Sequence, residues 1–454
     1  MLGKDFANVY KHIQNHLAKD IYPFHMPGHK GNPAFFPKNL QGLDVTEIPG
    51  MDVLSAPTGI IRELEANIAD FFGARRSFFL VNGSSCGIMA AICATCREGA
   101  PIMVPRNAHT SVYNGLVHSG ARPIYYMPEV TADGLSGGVL PSALEDMPYG
   151  ATVLVVSPTY EGFVSHIAAI ADKVHEKGGL LIVDEAHGAH FPFHEAFPTS
   201  AIALGADIVV QSLHKTLPAS SQCGVLHVSR TVGLSLDALA FYINAMQTSS
   251  PSYMFMAICD YMLRLLWENT DHFATYVAQL TRLREILPHK DSGTSLYLSG
   301  VERVNTHGIF DVDIGKLLFC SQLPGHEVET LWAETYHVQI EMAMAQHVLA
   351  MTSVADTQAG FDRLRRAVEG VCTPTDEGFC YASPMFRPLL APPPLTPRQA
   401  LQRPSFPVPW EQGVGKISAQ VVAQYPPGIA LVAPGEMIPP DLPPQSPTIR
   451  IVHT

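Results

Sequence analysis

This 454-residue chain has no apolar run long enough to cross a bilayer, which takes about 20 residues as a helix. Its opening stretch, Met1 to Asp20, is polar and helix-like and lacks the apolar centre of a secretory leader. Charge is sparse at 15% of residues, and 29 basic side chains face 41 acidic ones, for a net charge of −12. That balance argues against nucleic-acid binding but is compatible with a cationic small molecule. The eight cysteines are scattered, without the spacing of a disulfide framework, so a reducing, cytoplasmic setting is expected. Cys93 and Cys96 form a C-x-x-C, yet the run from Ile88 to Cys96 reads as a buried helix. No second ligand pair lies nearby, so core packing outweighs redox or metal chemistry, and no metal is expected. Internal repeats are also missing.

An apolar fraction of 47% suits a well-buried globular enzyme, and the length calls for two or three domains. Residues 1–35 read as an N-terminal helix and a turn-rich arm (His25 to Pro33) that lies over another part of the chain or over a partner subunit. From about 55 to 230, apolar runs alternate with helical stretches: Val153 to Val156, then the periodic Ile167 to His175, then Leu180 to Val183, then Ile208 to Val210. Such alternation predicts an α/β fold with a mostly parallel sheet covered by helices. We place a large domain at 36–290, a smaller α+β domain at 291–383, a Pro-rich linker or wrapping segment at 384–409, and a C-terminal segment at 410–454. Ile417 to Val422 reads as helical.

Ligands of such sheets bind beyond the carboxyl ends of the strands. Two chemically telling residues fall there. Asp184 ends the run Leu180 to Val183, and Lys215 follows Ile208 to Val210 in Ser212-Leu213-His214-Lys215. A strand-end aspartate and lysine suit pyridoxal phosphate (PLP). The lysine amine bonds the aldehyde, and the carboxylate keeps the ring nitrogen protonated. Asn82-Gly83-Ser84-Ser85-Cys86-Gly87, before an apolar helix, is a candidate phosphate cradle, with Ser212 and His214 completing it. Cys86, within the cradle, and Ala186, beside Asp184, join the cofactor set. His109 follows a strand end, where an imidazole can stack on a ring, and His187 is a candidate active-site histidine. Taken singly, each has a plainer explanation: a helix cap for Ser84 or Asp184, a surface loop for His109. His187 and His190 lack a third ligand for a metal.

Pro27 to Lys30, Thr46 to Asp52, Arg106 to His109, Pro158 to Gly162, Asp184 to His190, Ser212 to Ala219 and Tyr425 to Ile429 occur in this order. The set resembles the ornithine/lysine/arginine decarboxylases, short form, from His25 to Glu436. The resemblance implies the aspartate-aminotransferase (type I) fold and a homodimer or larger assembly with active sites at its interface. It makes Lys215 the Schiff-base lysine, Asp184 the partner of the ring nitrogen and His109 the stacking residue. Ser84, Ser85, Ser212 and His214 fall on the phosphate side. Thr110, Ala430 and His166 depart from the family pattern.

The implied reaction is decarboxylation of arginine, lysine or ornithine to an amine of polyamine synthesis, with Lys215 or His187 returning a proton to Cα. A buried carboxylate must meet the distal cation of the substrate, and Glu436 is one candidate. An aminotransferase or lyase on the same scaffold is the alternative, and a non-catalytic binding protein the third.

Overall fold

The computed structural model describes residues 14–375, 392–424 and 428–453. Its centre is a seven-stranded sheet. The strands are β1 (Arg76–Leu80), β2 (Pro101–Pro105), β3 (Arg122–Tyr126), β4 (Thr152–Val156), β5 (Leu180–Asp184), β6 (Ile208–Ser212) and β7 (Gly224–Val228). They lie in the order β1-β7-β6-β5-β4-β2-β3. All run parallel except β7, which is antiparallel to both β1 and β6.

Burial on both faces explains the uninterrupted apolar runs. Successive side chains of a strand point to opposite faces. Val153, Val155, Leu181, Val183 and Val209 therefore enter one core, while Leu154, Ile182, Ile208 and Val210 enter the other. The second core is closed by α1 (Gly83–Thr95), which is apolar on nearly every side. Cys93 and Cys96 are buried free thiols at its end, and burial lifts Cys93 to about 11. Core packing, not redox chemistry, is what their surroundings support.

A second unit is built on a four-stranded antiparallel sheet: β8 (Leu296–Ser299), β9 (Lys316–Ser321), β10 (Met342–Ala343) and β11 (His347–Met351), in the order β8-β9-β11-β10. The N-terminal arm joins this unit, since Tyr22–Phe24 pairs in parallel with Val338–Ile340. The arm then crosses to the large sheet. The Gly28 amide donates to the His214 carbonyl (2.8 Å), and the Ser353 hydroxyl donates to the Gly28 carbonyl (2.5 Å). The arm therefore lies over its own chain. The expected helix at its start falls mostly outside the described residues.

One expectation for the tail needs correction. Ile417 to Val422 is not helical: Ile417 and Ser418 form bridges to Met437 and Ile451, and Val422–Gln424 is a strand. Its apolar spacing fits a helix, but burial against Ile438, Ile449 and Ile451 favours extended chain. The described part of 384–409, expected as a linker or wrapping segment, is packed onto the rest of the tail. Pro397–Gln402 is a helix with a Thr396–Gln399 capping box, and Ser405–Pro409 pairs with Thr448–Val452. Proline suits the first turn of a helix and an edge strand, which is how these prolines are used.

Gly28 is a tight point of the fold, because a Cβ there would lie 2.7 Å from the Leu217 carbonyl oxygen. Gly28→Ala is expected to lower stability by about 1–3 kcal/mol, read as a shift in the denaturant midpoint.

Candidate active site

A cavity of about 360 Å³ opens beyond the carboxyl ends of β4, β5 and β6. Ser84 and Ser85, in the first turn of α1, form one wall, where the helix N-terminus favours an anion. The Ser212 hydroxyl donates to that of Ser84 (2.7 Å), tying the end of β6 to this turn. Close approach requires Gly224 behind it: a Cβ there would meet the Gln211 carbonyl oxygen at 2.8 Å and the Ser84 nitrogen at 3.2 Å. His214 lines the same side, with Nδ1 bonded to the Cys223 carbonyl (2.9 Å).

Asp184, Ala186, His187 and Lys215 line the cavity together with His109. Asp184 is buried and accepts the Ala186 amide (3.2 Å). Burial raises its carboxyl above the usual range, while the Lys215 ammonium pulls the other way. A cation placed in the cavity would hold it ionised. Burial lowers Lys215, opposed by Asp184 and Glu341. His109 caps the helix Thr110–Ser119, accepting the Ser111 amide at Nδ1 (3.2 Å); burial and then Lys215 hold it down at about 4. An anion cradle, a buried carboxylate and an amine around one cavity suit the phosphate, ring nitrogen and aldehyde of PLP.

Sequence reasoning missed Lys316. This fully buried lysine opens β9 and reaches the site from the second unit. Its Nζ lies 2.8 Å from His187 Nδ1, and His187 Nε2 lies 3.1 Å from Lys215 Nζ. Burial lowers Lys316 to about 8, opposed by Asp313 and Glu341. A lone lysine ahead of the apolar Leu317 to Cys320 was the available signal, and it looks like an ordinary strand start. Glu341 was missed too; it accepts the Met26 amide (2.8 Å) and the Tyr160 hydroxyl.

Other candidates lie elsewhere. Cys86 does not line the cavity: its thiol is buried and donates to the Gly83 carbonyl (3.1 Å). His190 pairs with Asp313 (3.1 Å), apart from His187. Glu436 is taken by Arg106, with contacts of 2.7 and 3.3 Å, and also accepts the Ala433 amide. Both carboxylate oxygens of Glu436 are thus engaged within the chain. Asp133, Cys320 and His347 meet in a buried cluster, but Arg303 already bonds both Asp133 oxygens at 2.8 and 2.6 Å. Of the three family departures, His166 caps the helix Ile167–Glu176, Ala430 is core, and the Thr110 amide donates to the Gly428 carbonyl.

Residues 7–338 match the family model for the Orn/Lys/Arg decarboxylase major domain, and residues 382–449 match that for the C-terminal domain. An arginine decarboxylase of Halalkalibacterium halodurans is 32% identical over 96% of this chain and 92% of its own length. One from Bacillus subtilis is 31% identical over 95% and 91%. Among solved structures, the constitutive lysine decarboxylase of Escherichia coli superposes with a TM-score of 0.74 at 17% identity, covering 93% of this chain and 76% of that one. The fold is that of the type I PLP enzymes.

Glu436→Ala would strand the buried Arg106 charge, and a loss of about 3–5 kcal/mol is expected in chemical denaturation. A raised KM with unchanged stability would return Glu436 to the substrate.

Proposed function

Because this chain belongs to the Orn/Lys/Arg decarboxylase family, we propose that it decarboxylates arginine with PLP held on Lys215. The enzyme is an amino-acid decarboxylase acting on a basic amino acid. The observation that carries the cofactor assignment is the convergence of Asp184, Lys215 and the Ser84–Ser85 turn on one cavity. Arginine is favoured by the two relatives named for it, which align over more than nine-tenths of both chains. Family membership also supports a homodimer or larger assembly with interface active sites, working in the cytoplasm in polyamine synthesis.

PLP, when bound, supplies the electron sink for the pair released as CO₂ leaves. The chain's own residues do the rest. Lys215, kept toward its amine form by burial, is the group that bonds the aldehyde. Asp184 would accept the N–H of the ring nitrogen and so hold that proton in place. Ser84, Ser85, Ser212 and the N-terminus of α1, which line the cavity, would hold the phosphate. His109 offers a neutral ring face to the cofactor. After the carboxylate departs, Lys215 or the adjacent His187 Nε2 delivers a proton to Cα.

Borohydride reduction of the yellow protein should fix the cofactor on the peptide bearing Lys215, by mass spectrometry. A label on any other lysine refutes the assignment. Asp184→Ala should lower turnover by about 10²–10³-fold in an amine-product assay run with arginine, lysine and ornithine in parallel. Agmatine is the expected main product, and preferential release of cadaverine or putrescine would reassign the substrate.

A further inference from the structure

Lys215, His187 and Lys316 form a linear chain of three nitrogen functions, with contacts of 3.1 and 2.8 Å. A neutral imidazole carries one N–H and one lone pair. An ammonium has only donors to offer. The charged Lys316 therefore claims the lone pair of His187 at Nδ1, and the imidazole proton is left on Nε2. That N–H faces the Lys215 Nζ, where only a free amine can accept it; a Lys215 ammonium would set hydrogen against hydrogen.

We propose that Lys316 is a positioning residue that fixes the His187 proton on Nε2 and so keeps the Lys215 amine unprotonated for bonding to the cofactor. The inference rests on Lys215 being the cofactor lysine. Its surroundings agree. Asp313 and Glu341 oppose the effect of burial on the Lys316 ammonium, with Lys215 acting against them and Glu161, itself pushed up by burial, adding least; the Tyr160 ring lies 5.4 Å from the Lys316 nitrogen. Lys215, by contrast, has Asp184 and Glu341 favouring its ammonium, so something must oppose them if the amine is to stay nucleophilic. Burial does part of this, and the His187 N–H does the rest. His187 itself is held neutral by burial and by the two lysines on either side. Fewer than two lysines would leave the ring free to turn its lone pair toward Lys215.

The test reads the amine directly in the full chain prepared without cofactor. Competitive acetylation of Lys215 is followed by mass spectrometry across a pH series. Lys316→Met should move the Lys215 labelling midpoint upward by about one pH unit, roughly a tenfold loss of reactivity at fixed pH, and Lys316→Arg should restore much of it. In a His187→Gln background the Lys316→Met change should add nothing. An unmoved midpoint in the folded Lys316→Met protein overturns the proposal, as does a further shift in the His187→Gln background, which would mean action through space. Should Lys316→Met not fold, ¹⁵N-histidine spectra of the wild-type chain decide: the His187 resonance, assigned by its loss in His187→Gln, must report hydrogen on Nε2, and hydrogen on Nδ1 overturns the inference. A borohydride label on another lysine would instead refute the cofactor assignment, so the two failures are distinguishable.

Discussion

The structure depends on holding a buried carboxylate and a buried amine close together without letting them simply neutralise each other. Asp184 ends β5, and its register partner on β6 is Val210, five residues before Lys215. Each side chain alone would carry a heavy desolvation cost. Burial raises Asp184 and lowers Lys215, and the electrostatic influence of each on the other works against its shift. Parallel strands make this possible, because their carboxyl ends line up on one edge of the sheet and chains leaving them converge there.

The surrounding parts serve that edge. Gly224 lets β7 press close behind the Ser84 turn, and Gly28 lets the N-terminal arm press onto Leu217, just past the lysine. The second unit reaches in through Lys316 and Glu341, so the site is shared between two sheets of one chain. The tail is pinned by Arg106 and Glu436, a fully buried ion pair lying 330 residues apart in sequence. Its position beside His109, through the His109–Ile429 bridge, brings the last segment of the chain to the cavity wall. These contacts link residues far apart in the chain.

Legibility in the sequence followed the range of the interaction. Strand-end positions are a local signal: an apolar run followed at once by Asp184, or by Ser212 to Lys215, marks the carboxyl edge before any fold is known. Ser84 and Ser85 were legible for the same reason, opening an apolar helix. Cys86, one residue further, was not, because the direction of its thiol depends on the turn of the helix, which aims it into the core. Lys316 carries no local mark; its partner His187 is 129 residues away. The tail misled because Ile417, Ala419, Val421 and Val422 satisfy helical spacing, while the strand bridges that override it come from Met437 and Ile451.

The sequence by itself determined the alternating α/β architecture and the placing of Asp184 and Lys215 at or just past strand carboxyl ends, since period and adjacency along the chain suffice for these. Only the tertiary structure decided which polar groups meet. It gave Glu436 to Arg106, His190 to Asp313 and His187 to two lysines. The physical reason is that a buried polar group must find its partner in space, and packing, not sequence distance, sets which one is within reach.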